Sequence, residues 1–79
     1  MTVTLASVPP GAEVVLEHVR DTLPASFREQ LAAYGLVAGR PLTVLQQRPM
    51  TVLVCDHVEL ALEQAVAEAL CVSAPAARK

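Results

Sequence analysis

The spacing of hydrophobic positions along this chain shifts from two to about 3.6 and back, and each shift marks an element boundary. Pro9-Pro10-Gly11 comes first; it continues neither a helix nor a central strand and predicts a turn. From Glu13 to Val19 the run Glu-Val-Val-Leu-Glu-His-Val is rich in β-branched residues and reads as a strand, with Val14 and Leu16 on one face and Val15, Glu17 and Val19 on the other. The second face is too apolar for clean alternation, which predicts a bulge.

After Asp21-Thr22-Leu23-Pro24 the period becomes helical, with Phe27, Leu31 and Tyr34 on one face. Ser26 and Glu29 match a capping box, the serine oxygen accepting a terminal N–H while the glutamate reaches back to the cap amide. Gly35 supplies a left-handed helix stop, and Leu36 folds back onto the last turn. The helix is therefore expected from about Ser26 to Tyr34. Beyond Gly39, Leu42 and Val44 alternate with Thr43 and Leu45 as a half-buried strand, Arg48-Pro49 interrupts, and Thr51 to Cys55 forms a second strand-like run. The two pair as a hairpin, and Asp56-His57 is a turn. Val58 to Leu70 stays open: Val58, Leu60 and Leu62 alternate like a strand, yet the segment is rich in helix formers. The expected core is Val14, Leu16, Leu42, Val44, Leu53, Leu60, Leu62 and Leu70.

Composition narrows the class. A chain of 79 residues makes one domain, and 53% hydrophobic content, with one Phe, one Tyr and no Trp, makes its core aliphatic. Nucleic acid is excluded as a partner: the net charge is -2, the arginines are dispersed and stacking platforms are lacking. No apolar run approaches the roughly 20 residues of a membrane helix, so direct insertion is not expected. No signal-peptide pattern opens the chain and two cysteines allow at most one bridge, so a cytoplasmic protein with reduced thiols is expected.

Candidate chemistry is sparse. Nothing around His18 or His57 sets a nucleophile beside a base, the carboxylates are scattered, and the three glycines lack the spacing of a phosphate loop, so the chain does not read as an enzyme. Cys55 and His57 are two apart, and His18 and Cys71 approach them in a closed barrel, offering nitrogen and sulfur donors to Fe2+ or Zn2+. That spacing matches no standard motif; core thiols and an exposed turn account for the same residues, and no cofactor is required. Arg28, Glu29 and Tyr34, beside the buried helix stripe, are the candidate partner-binding residues.

Leu5, Pro10-Gly11, the helix ending in Leu31 and Gly35-Leu36, then Gly39, and the series Leu60-Ala61-Leu62, Ala67, Leu70 and Val72 together resemble the FeoA domains of ferrous-iron transport proteins. The likeness spans about residues 3 to 72, with Ala38 in place of a usual proline, His57 where a turn glycine is common and Glu63 where arginine is frequent. It implies a mostly β, small SH3-like β-barrel with one or two short helices, occupying residues 1–72; the small-residue, basic-ended stretch 73–79 beyond it has nothing to bury and is expected to be a flexible tail. The resemblance further implies that Val58 to Leu62 is a strand and Glu63 to Ala69 a short helix. The function implied is contact with the cytoplasmic portion of a FeoB-type membrane GTPase transporter. The alternative is a transition-metal-binding, iron-responsive regulatory module like the SH3-like domains of iron-dependent repressors.

Overall fold

The structure is a computed structural model and describes residues 3–74. Six strands form one antiparallel sheet: β1 (Val3–Thr4), β2 (Glu13–Val19), β3 (Pro41–Gln46), β4 (Thr51–Cys55), β5 (Val58–Leu62) and β6 (Leu70–Ser73), in the spatial order β1-β6-β2-β3-β4-β5. Two short helices, α1 (Ala25–Ala33) and α2 (Gln64–Ala67), and a 3-10 turn at Leu5–Ser7 complete it. This is the mostly β barrel expected. No helix among the described residues is long and apolar enough to cross a membrane.

The alternation in β2 does what its side chains require: Val14 and Leu16 are buried, Glu17 and His18 are exposed. The expected bulge lies between Leu16 and His18, where the register with β6 slips so that Leu16 faces Val72 and His18 faces Cys71. β3 and β4 pair as a hairpin, Val44 opposite Leu53. Asp56 and His57 then join β4 to β5 with φ of 52° and 72°, the positive pair that a two-residue I′ turn demands. A side chain at His57 is strained there, so His57→Gly is expected to raise unfolding stability by about 0.5–1 kcal/mol in denaturant melts.

β6 was not expected as a strand. Leu70, Cys71 and Val72 are all buried, so the segment has no polar face and no period of two to reveal it. It pairs with β1 on one side and β2 on the other, and its last residue, Ser73, faces Val15 and donates a hydrogen bond to Glu17. The sheet thus reaches one residue past the boundary drawn at 72; of the expected tail, 75–79 lie outside the described residues.

α1 ends as foreseen and begins differently. At its C-terminus Leu36 N donates to Leu31 O at 3.0 Å and Gly35 N to Ala32 O at 2.9 Å, with Gly35 at φ 99°, a Schellman closure that buries Leu31 and Leu36. At the N-terminus the capping box of Ser26 and Glu29 is not formed, because Ser26 already lies inside the first turn and Pro24 is the cap residue. Proline's fixed φ suits the position, and Arg28 supports it, its backbone N bonding to Pro24 O at 3.0 Å and its Nε donating to Leu23 O at 3.1 Å. The second helix is shorter than expected, Gln64–Ala67 rather than 63–69, since Ala69 N turns back to Val66 O before β6 begins.

Of the eight positions expected in the core, seven are buried; Leu60, on the outermost strand, is half-buried. Leu5, Val8, Leu36, Cys55, Ala67 and Val72 join them. Thr51 is fully buried, and a polar network satisfies it. Its hydroxyl donates to Gln47 Oε1 at 2.7 Å and accepts from Gln64 Nε2 at 3.1 Å, while Gln47 Nε2 donates to the carbonyls of Leu5 and Val8 at 2.9 and 2.5 Å. The network fastens the N-terminal turn and α2 across the end of the β3–β4 hairpin.

Candidate partner-binding surface

The helix stripe of Phe27, Leu31 and Tyr34 divides by depth. Leu31 is buried, Phe27 half-buried, and Tyr34 is 56% exposed because it sits at the helix end, where the Schellman turn carries the chain inward and leaves the ring behind. Across from this face runs β5. Between them is a groove of about 460 Å³ with Phe27, Gln30 and Tyr34 on the helix side and Val58 and Leu60 on the strand side. Val58 is exposed like Tyr34, so the groove presents apolar surface to solvent at its rim.

The three residues read from sequence as partner contacts are therefore not equivalent. Tyr34 lines the groove, Glu29 is exposed on the adjoining helix surface, and Arg28 is half-buried with its Nε engaged by Leu23 O. The strand half of the groove was missed. The alternation of Val58 and Leu60 was visible, but not that this strand would stand at the sheet's end, where its residues stay partly uncovered.

The four candidate metal donors are dispersed. His18 faces Cys71 across β2 and β6, whereas Cys55 is on β4, with β2 and β3 intervening in the sheet, and His57 is exposed in the following turn. Among the described residues no three His, Cys, Asp or Glu side chains gather as a metal would require. The donor set present does not fit a built-in transition-metal centre.

Cys55 has a packing role. It is fully buried, its Sγ lies 3.5 Å from the Gly35 carbonyl oxygen, and it thereby braces the end of α1 against β4. Burial pushes its thiol above the ordinary 9.0; Arg40 draws it down and Asp56 pushes it up, in decreasing order of effect. Because the folded state holds this proton more tightly than the unfolded chain, the contribution to stability is whole below about pH 9 and is lost as pH rises through the folded value. The melting temperature is accordingly expected to fall more steeply above that pH in the wild type than in Cys55→Ala. Equal slopes would remove Cys55 as the source. Nearby, Arg40 and Asp56 pair at 3.2 Å with both side chains substantially exposed, a contact worth no more than about 1 kcal/mol.

The described residues thus form a small, mostly β antiparallel barrel with an apolar groove between α1 and β5, and no three potential metal-binding side chains among them gather. The family model for the FeoA domain matches residues 3–74, and the chain belongs to the FeoA family. That family is a small domain associated with ferrous-iron transport, accessory and SH3-like, and is not an enzyme family. The FeoA protein of Chlorobium tepidum superposes with a TM-score of 0.85 at 24% identity, over 98% of this chain and 74% of that one. Stenotrophomonas maltophilia FeoA, solved with zinc and described as a prokaryotic SH3-domain protein and candidate activating factor of ferrous-iron transport, gives 0.80 at 21%, over 90% and 89%. A manganese-dependent transcriptional repressor gives 0.82 at 22%, over 94% of this chain but 42% of the repressor. At these identities the likeness concerns the fold. No curated protein matches the chain.

Proposed function

We propose that this chain is a cytoplasmic accessory module of ferrous-iron transport that acts by contact with the cytoplasmic portion of a FeoB-type membrane GTPase transporter. The family membership supports the pathway, and the observation that carries the contact is Tyr34, an aromatic ring left 56% exposed at the rim of an apolar groove in a chain with almost no other aromatic residue. Exposed aromatic side chains beside a groove are the usual anchors of protein interfaces. Glu29 and Arg28 flank it with charge of both signs. The test is calorimetric titration of the chain into the transporter's cytoplasmic domain with and without guanine nucleotide. Tyr34→Ala is expected to weaken binding by about tenfold or more, and Glu29→Arg by less, since a rim charge is worth under about 1 kcal/mol. Both sites are exposed, so melting curves should stay near wild type. A wild type that does not bind in any nucleotide state refutes the partner; undiminished binding by Tyr34→Ala refutes the surface. An iron-responsive metal-binding role is the weaker reading, because a zinc-bound relative is its support while the donors here do not converge.

A further inference from the structure

β5 is bonded on one side only. It ends the sheet, and its pairing with β4 runs unbroken from Cys55 opposite Val58 to Thr51 opposite Leu62. A two-residue turn makes the flanking pair, Cys55 and Val58, a hydrogen-bonded one, and strict alternation then gives Leu53–Leu60 and Thr51–Leu62 the same status. Glu59 and Ala61 consequently turn their N–H and C=O groups outward, and no turn or loop backbone group among the described residues bonds to them. The opposite edge, β1, is two residues long and a poor template. β5 is five residues long and has neither proline nor lysine nor a bulge; Glu59 is its one charge, and α1 stands across an open groove from it without a backbone bond to it.

We propose that β5 pairs antiparallel with β5 of a second copy of this chain, about a two-fold axis at Leu60. Three two-fold registers bring outward-facing backbone groups together, and charge selects among them. An axis at Glu59 opposes the two Glu59 carboxylates directly. An axis at Ala61 sets Glu59 against Glu63 of the second copy, twice. An axis at Leu60 sets Glu59 against Ala61, so that each exchanges both backbone bonds with the other and no like charges are opposed. The same register places Val58, exposed in the single chain, opposite Leu62. A foreign strand has no such built-in match, which is why the second copy is the occupant.

Sedimentation of the full chain from micromolar to millimolar concentration tests this. The wild type is expected to pass from monomer to dimer, with slowed amide exchange at Glu59 and Ala61 in the dimer. Ala61 is exposed in the single chain, so its variants should fold normally, as melting curves will check. Ala61→Lys, facing Glu59 of the second copy twice, is expected to tighten the dimer by about tenfold, and Ala61→Glu to weaken it by about as much. A wild type that stays monomeric at millimolar concentration overturns the proposal. So does a dimer that responds to the two variants alike or to neither, because its interface then lies elsewhere.

Discussion

Leu53→Ala should cost about 2–5 kcal/mol of unfolding free energy, a large part of the total for so small a domain. Leu53 is fully buried at the middle of β4, with Val44 of β3 on one side and Leu60 of β5 on the other. Truncation removes the transfer energy of the lost isopropyl group and leaves a cavity that three hydrogen-bonded strands cannot collapse to fill. The upper half of the range is expected, because Val44 too is fully buried and has no freedom to move inward. Denaturant melts with an unchanged slope would measure it; a change under about 0.5 kcal/mol, the range typical of surface positions, would show that Leu53 does not face the core.

Removing the Gln47 amide should have the next largest effect. Gln47→Met keeps the length of the side chain but deletes the donor to Leu5 O and Val8 O and the acceptor for Thr51 Oγ1. The expected loss is about 1–3 kcal/mol, set chiefly by the Val8 carbonyl left without a partner and by a Thr51 hydroxyl that still accepts from Gln64 but has lost its own acceptor, while Leu5 O keeps the bond from Val8 N. That account has a sharp consequence. In the double variant Gln47→Met/Thr51→Val the hydroxyl is gone as well, so the combined cost must fall short of the sum of the two singles. Strict additivity would mean that the glutamine acts through packing alone.

Both sites show why some features of this protein are legible in its sequence and others are not. Leu53 lies in a β-branched run legible as a strand and was expected in the core, as its alternating burial bears out. Gln47 gives no such sign: a glutamine before a proline-containing turn resembles any solvent-facing loop residue, and its worth depends on carbonyls some forty positions earlier in the chain. The start of α1 is similar. Ser26 and Glu29 satisfy a local capping pattern, but Pro24 with Arg28 beneath it starts the helix two residues sooner and leaves the serine nothing to cap.

The candidate surface divides along the same line. Tyr34 was visible as the last member of a helical stripe, and its exposure follows from the glycine stop beside it. Val58 and the outward backbone of Glu59 and Ala61 acquire meaning only once β5 is known to be the last strand of the sheet.

By itself, then, the order of residues determined the elements that announce themselves locally. These are the strands β2 to β4, the Gly35 helix stop, the Asp56-His57 reversal and most of the inward-facing side chains. Each depends on neighbours within a few positions, through side-chain period or backbone conformational preference. Tertiary structure alone decided the rest. It turned Leu70–Ser73 into a strand between β1 and β2, although burial on every side had erased its period, and it settled the Thr51 network and the choice of open edge. The physical reason is common to all three: each depends on hydrogen-bonding groups or apolar surface contributed by segments far apart in the chain, and no local pattern records which of them will meet.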